Sequence, residues 1–265
     1  MITQLSAFNL CLSTFDAAVH AIVGAGFEQL AVYFTKTQFL KALHELDDFE
    51  VEELAHKAEL SDLRIAAVGG PSDLLTKEGT SQLKQALRVA GALEAEVFDT
   101  GSLSFQGKEP AQIDRETRLF CDNLCRVADV AGEQGMVICL ETHGGMTGTP
   151  QRCLQAMAAI NHPNVGIGFD PANLVYYEGA DPFEDLDELL PFIGHVHLKD
   201  QVGGKDVASF PTVGSGELDY ARLLAQVIEG GYGGCLSVER VSGDTDEERA
   251  DELVKAYEFL AQAGG

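Results

Sequence analysis

Hydrophobic and polar positions along the chain follow two periods in turn. Short runs alternate every second residue, as a strand does. Longer stretches then carry apolar residues three and four apart, as on one face of a helix. The pattern predicts a first strand over Thr3–Leu12, a helix over Phe15–Ala25 that Gly26 ends, and a second strand over Glu28–Phe34. A long acidic helical stretch runs through Leu60, followed by a third strand, Arg64–Val68, with Gly69-Gly70-Pro71 as its turn. A helix over Thr80–Ala92 leads to a fourth strand, Ala95–Thr100. The helix Pro110–Gln134 opens with proline in the first turn, where the missing N–H costs nothing. Four more strands centre on Glu141, Asp170, His197 and Glu239, and a last helix covers Asp246–Gln262.

Eight strand–helix units of about 33 residues each are the arithmetic of a (β/α)8 TIM barrel, here as a single α/β domain over residues 1–265. A doubly wound sheet would usually have fewer strands and a glycine-rich turn after the first. Asn9-Leu10-Cys11-Leu12-Ser13 has no such glycines, which also counts against a dinucleotide site. No internal repeat beyond this period, linker or second domain is visible.

Four strands of the second half have a polar inner face. In Gly194–Asp200, His195, His197 and Lys199 project one way and Val196 and Leu198 the other. Cys139, Glu141 and His143 share a face opposite Ile138 and Leu140. Asp170 follows Gly166 and Gly168, and Glu239 follows Cys235 and Ser237. Burying such groups is costly unless something polar or metallic waits there. Barrel enzymes place their chemistry where strands end at the C-terminal face, the position of Glu141, Asp170, His197 and Glu239. A single glutamate at a strand end is commonly a loop ion pair; four ligand-type residues of one parity read as a metal set. Three carboxylates and an imidazole suit one divalent ion, Mn2+ or Mg2+ first, with Co2+ or Zn2+ also accepted. A structural zinc would show cysteines at closer spacing.

Composition narrows the partners. With 42 acidic residues against 18 basic ones, the formal charge is −24. Such a surface repels phosphate backbones and anionic membranes, which excludes nucleic acid as a partner. No apolar run approaches the roughly 20 residues needed to span a bilayer. Met1-Ile2-Thr3-Gln4-Leu5 lacks the basic start of a signal peptide, so a cytoplasmic location is expected. The six cysteines form no CxxC pair; Cys121 and Cys125, one helical turn apart, read as core residues. There is no tryptophan, so any aromatic platform for a sugar falls to Phe8, Tyr33 or Phe34.

Leu140-Glu141-Thr142-His143, Phe169-Asp170-Pro171-Ala172-Asn173, His195-Val196-His197-Leu198-Lys199-Asp200 and Val238-Glu239 resemble the xylose isomerase-like TIM-barrel superfamily of sugar isomerases and epimerases. The resemblance covers the whole chain in element order, with its specific motifs in the second half. It implies that the second histidine of His-x-His is the ligand, so His197 joins Glu141, Asp170 and Glu239, while His195 lies one layer deeper. It implies a small-molecule carbohydrate substrate and a metal-stabilised enediolate, with Glu141 and Glu239 as base and acid on opposite faces. His143 would contact a substrate hydroxyl. Lys199 would bind a substrate oxygen or anionic group, with an ion pair to Asp200 or a nearby carboxylate as its alternative. Asn173 would reach the substrate or cap its loop.

The implied activity is isomerisation or epimerisation of a sugar or polyol-derived carbonyl compound. The same enediolate can expel a β-hydroxyl or glycosidic oxygen, which makes a lyase or dehydratase acting on a keto-sugar, inosose or keto-glycoside the alternative. Three departures weigh against a free-ketose 3-epimerase. Gly26-Phe27-Glu28-Gln29-Leu30 leads to Ala31 where relatives often place a glutamate, Asn173 replaces a histidine, and Gln201–Thr212 offers Lys205 in place of an arginine. An apurinic endonuclease would need several zincs and more histidines than the seven present, three of them (His20, His44, His56) in early helical sequence. A binding module without catalysis is disfavoured because all four ligand positions are intact. A homodimer is a fold-level analogy only.

Overall fold

Eight parallel strands hydrogen-bond in chain order and the eighth closes back on the first, so the predicted (β/α)8 barrel is the observed fold. The computed structural model describes residues 4–263. Its strands are β1 (Leu5–Phe8), β2 (Gln29–Tyr33), β3 (Arg64–Gly69), β4 (Val97–Thr100), β5 (Val137–Glu141), β6 (Val165–Phe169), β7 (Ile193–Leu198) and β8 (Leu236–Val238). Around them run α1 (Phe15–Ala25), α2 (Asp48–Glu59), α3 (Lys77–Ala92), α4 (Pro110–Glu133), α5 (Pro150–Ile160), α6 (Pro171–Glu178), α7 (Leu186–Leu189), α8 (Tyr220–Glu229) and α9 (Asp246–Ala263). No helix is long and apolar enough to cross a membrane among the described residues.

Local chemistry sets several boundaries. The Thr14 side chain accepts the Ala17 N–H at the start of α1, and Pro110 occupies the first turn of α4. A reciprocal Asp47–Glu50 capping box opens α2, so the acidic helical stretch begins only there; Leu43–Glu45 forms a separate 3₁₀ turn. The first strand is shorter than predicted. Thr3 lies outside the described residues, and the strand ends at Phe8 with Asn9–Cys11 in a 3₁₀ turn. There the Asn9 side chain accepts the Tyr33 N–H at 2.7 Å and donates to Tyr33 O at 3.1 Å, tying the end of β1 to that of β2. The fifth strand likewise stops at Glu141, two residues before His143. Gly144 and Gly145 turn the chain with φ of +75° and +57°, and a Cβ on Gly145 would stand 2.3 Å from Leu103 O.

The alternation of each strand divides the molecule. Outward residues such as Leu30, Val68, Phe98, Ile138, Leu140, Ile167, Val196 and Leu236 pack against the helices in one continuous core. The inward apolar cluster is small: Phe8, Ala31, Ala67, Val97 and Cys139. The remaining interior is polar, with Ser6, Asp99, His195, His197 and Ser237 all buried. Glycines on β6 and β7 make room for it. A Cβ on Gly194 would lie 2.6 Å from Cys139 Sγ, and the β6–β7 register shifts at Ile167/Gly168. The cysteines are free thiols, Cys121 buried and Cys125 half-buried.

The segment after β7 is closed by Asp200. Its carboxylate accepts the backbone N–H groups of Gln201 at 2.9 Å, Gly214 at 3.0 Å, Gly216 at 2.9 Å and Leu218 at 3.2 Å. Asp200→Ala would leave these four donors without their acceptor. Because hydrogen bonds to a charged group contribute about 1.5–3 kcal/mol each and truncation leaves partners unsatisfied, the variant should lose about 3 kcal/mol of unfolding free energy. Urea denaturation measures this; a loss below about 1 kcal/mol would mean that water replaces the carboxylate.

Candidate metal centre

Glu141, Asp170, His197 and Glu239 come from four successive strands and each offers one ligand atom, all within 4.8 Å of one another. Thr142 holds the first two in register: Asp170 N donates to its hydroxyl at 2.8 Å, and the hydroxyl donates to Asp170 O at 3.0 Å. Asp170 also caps α6, accepting the Asn173 N–H on Oδ1 at 3.1 Å, which leaves Oδ2 turned to the centre. Asn173 Nδ2 donates to Glu141 Oε1 at 2.9 Å. Of the two roles expected for Asn173, loop capping falls to its backbone, while its buried amide orients a carboxylate.

Lys199 is the cation of the cluster. Its ammonium stands 2.8 Å from Asp170 Oδ2 and 3.0 Å from both oxygens of Glu239. Asp200, an alternative partner by sequence, faces its own loop. Burial alone would lower the Lys199 pKa, but the Asp170 and Glu239 carboxylates raise it, so the side chain stays charged. Burial pushes Glu239 up, and Lys199 and His197 outweigh it, holding the acid well below the usual carboxylate range. Asp170 moves the other way: full burial beside Glu239 raises it despite Lys199.

Under the centre, His195 Nδ1 lies 2.7 Å from Asp99 Oδ2, and His195 Nε2 lies 2.6 Å from Ser237 Oγ. His197 Nε2 stands 3.4 Å from Asp99 Oδ1, and its Nδ1 is 3.7 Å from Glu239 Oε2. Burial disfavours the His197 imidazolium, yet the Asp99 and Glu239 carboxylates hold its pKa well above the usual histidine value. Asp99 is the residue that sequence reasoning missed. It carried the same signal as the others, a carboxylate at a strand end sharing a face with Val97 opposite Phe98.

His143 lies at the rim with its side chain 47% exposed, Nδ1 3.9 Å from Glu141 Oε2, and Nε2 bonded to the Tyr177 hydroxyl. Burial raises the Tyr177 phenol to about 12. Also unforeseen at the rim is Phe210, whose ring lies 5.5 Å from Lys199 Nζ, 5.6 Å from the Arg240 guanidinium and 5.2 Å from the Tyr176 ring. Of the expected aromatic platforms, Phe8 packs beneath the centre, edge-on to His197 at 4.9 Å, and Phe34 stacks on Phe39 at 4.2 Å. Tyr33 remains half-buried.

A divalent ion fits this set. His197 Nδ1 is buried without a hydrogen bond, and Glu141, Asp170 and Glu239 gather three carboxylates about the single Lys199 ammonium, an excess of negative charge that a cation relieves. Three carboxylates with one imidazole match the donor preference of hard and borderline divalent metals.

Residues 19–263 match the family described as xylose isomerase-like TIM barrel. An inosose dehydratase of Serratia proteamaculans is 28% identical over 177 residues, 60% of this chain and 59% of that protein, so the match spans about three fifths of that relative. An inosose dehydratase of Geobacillus thermodenitrificans is 25% identical over 279 aligned positions, covering 95% of this chain and 90% of that one. Among solved structures, a D-allulose 3-epimerase from Methylomonas sp. superposes with a TM-score of 0.79 at 19% identity, covering 99% and 98% of the two chains. That likeness is one of fold.

Ligation at His197 requires a bare Nδ1, and the Asp99 and Glu239 carboxylates that raise its pKa favour the protonated ring, so metal and proton compete there. Mg2+ binding should therefore release protons, and affinity should rise with pH until the imidazole is neutral. Titration calorimetry in buffers of different ionisation enthalpy reads the release, and His197→Ala should lower it, with any remainder coming from Asp170, whose pKa burial raises. Tight binding with no release would show that Nδ1 was already bare.

Proposed function

Because the chain belongs to the xylose isomerase-like TIM-barrel family, we propose that it is a divalent-metal-dependent dehydratase of a cyclic or open-chain polyhydroxy ketone of the inosose type. Of the two activities expected from sequence, elimination is better supported than epimerisation. The observation that carries this is the ion pair of Lys199 with both oxygens of Glu239 at 3.0 Å. Inverting one carbon needs two proton carriers on opposite faces, one taking and one giving. Glu239, held ionised by Lys199, does not give.

The proton-handling groups then lie on one side. Glu141 has Oε1 fixed by Asn173 and Oε2 directed towards His143 at 3.9 Å. Glu141 Oε2 takes the proton from the carbon next to the carbonyl, and the same side, through Glu141 or His143, returns it to the departing β-hydroxyl as water. One carrier thus completes a syn elimination. A bound divalent ion, Mn2+ or Mg2+ by donor type, supplies Lewis-acid polarisation of the carbonyl. Lys199 places a fixed positive charge on the other side, and Asn173 keeps Glu141 aimed inward. His143, tied to Tyr177, presents its imidazole to a substrate hydroxyl. The 24% to 29% identity to curated dehydratases supports the same reading.

The test is product analysis with Mn2+-loaded enzyme on an inosose and on free ketoses. The inosose should yield a product one water lighter, and Glu141→Gln should lower kcat by roughly 10²–10⁴. A ketose epimer formed without any dehydrated product would overturn the elimination. His143→Ala should raise KM more than it lowers metal content; unchanged kinetics would remove His143 from the site.

A further inference from the structure

The barrel interior holds a buried hydrogen-bonded column that the proposed reaction does not use. It starts at the centre and descends towards the N-terminal ends of the strands. His197 meets Asp99; Asp99 meets His195 Nδ1; His195 Nε2 meets Ser237 Oγ; Ser237 meets Ser6 Oγ; and Cys235 Sγ stands 3.2 Å from Ser6 Oγ. Asp99, His195, Ser6 and Ser237 are each 0% exposed, so the column lies wholly inside the barrel.

With Asp99 ionised and both rings neutral, as a metal-bound His197 requires, one arrangement of protons satisfies it. A carboxylate only accepts, so the ring nitrogens that face it must carry hydrogens. His195 Nδ1–H then donates to Oδ2, leaving Nε2 bare to accept the Ser237 hydroxyl. Ser237 in turn accepts from Ser6, and Ser6 from the Cys235 thiol. His197 Nε2, 3.2 Å from a His195 nitrogen that already bears a hydrogen, cannot accept there; the acceptor left to it is Asp99 Oδ1, 3.4 Å away and without another hydrogen bond. The neutral His197 ring is thereby left with its lone pair on Nδ1, the atom 3.7 Å from Glu239 Oε2.

We propose that Asp99 is a positioning residue that selects the Nε2–H tautomer of His197 and so presents Nδ1 to the metal. The inference rests on the metal reading of the centre. Carboxylates behind a metal-bound histidine typically contribute roughly 10–100-fold to metal affinity. Asp99→Asn keeps the shape but offers an amide N–H where an acceptor is required. Ser237→Ala removes a partner at the far end and leaves Asp99 facing His197.

The experiment measures Mn2+ dissociation constants by titration calorimetry for the wild type, Asp99→Asn and Ser237→Ala, with urea unfolding of each metal-free protein. Asp99→Asn should bind Mn2+ roughly 10–100-fold more weakly, and Ser237→Ala should stay within about threefold of wild type. Equal affinity in Asp99→Asn overturns the proposal while leaving the metal reading intact; absence of binding in the wild type overturns both. Should Asp99→Asn fail to fold, the wild type decides. In Mg2+-loaded protein labelled with 15N-histidine, the long-range spectrum should show a hydrogen on Nε2 of His197. A hydrogen on Nδ1 would overturn the proposal.

Discussion

Everything at the mouth of the barrel depends on keeping buried carboxylates from repelling one another. Asp99, Glu141, Asp170 and Glu239 gather around one ammonium and two imidazoles in a space that bulk water barely enters. Isolated buried charges of this kind are too costly to persist. Lys199 spans Asp170 and Glu239, the two histidines answer Asp99, and Asn173 supplies N–H groups to Asp170 and Glu141. Three carboxylates still share one ammonium at the centre, and His197 Nδ1 has no hydrogen bond, so the cluster fits a divalent cation.

The rest of the barrel accommodates this polar load. Glycines on β6 and β7 keep side-chain bulk out of the space around Asp99, Cys139 and His195, and the apolar part of the interior shrinks to a few residues. Stability is carried outside the strands, where the outward face of each packs against the helices. The division suits a (β/α)8 barrel, whose outer shell can hold the fold while the inner face varies with the chemistry.

Relatives with dehydratase names and structural neighbours with epimerase names share one scaffold, so the scaffold does not choose the reaction. In this chain a lysine lies at the centre of the site. Its ion pairs with Asp170 and Glu239 set that side of the site apart from Glu141, His143 and Tyr177. Phe210, Tyr176 and Arg240 then shape the rim on the Lys199 side.

Periodicity alone determined the barrel, because strand and helix spacings are local properties and eight repeats leave few ways to bury their apolar faces. Parity along single strands also placed Glu141, Asp170, His197 and Glu239 at one end and one face. Tertiary structure decided the partners. Asp99 and His195 are 96 residues apart and meet only because closure sets β4 across from β7, a distance that no local pattern encodes. Lys199 took Asp170 and Glu239 over its neighbour Asp200 because four loop N–H groups already claim Asp200. His143 left the strand because Gly144 and Gly145 turn the chain, and Asn173 divided its backbone and side chain between two carboxylates. Sequence fixes which groups a strand can present; only closure of the sheet brings them within the few ångströms over which hydrogen bonds and ion pairs act.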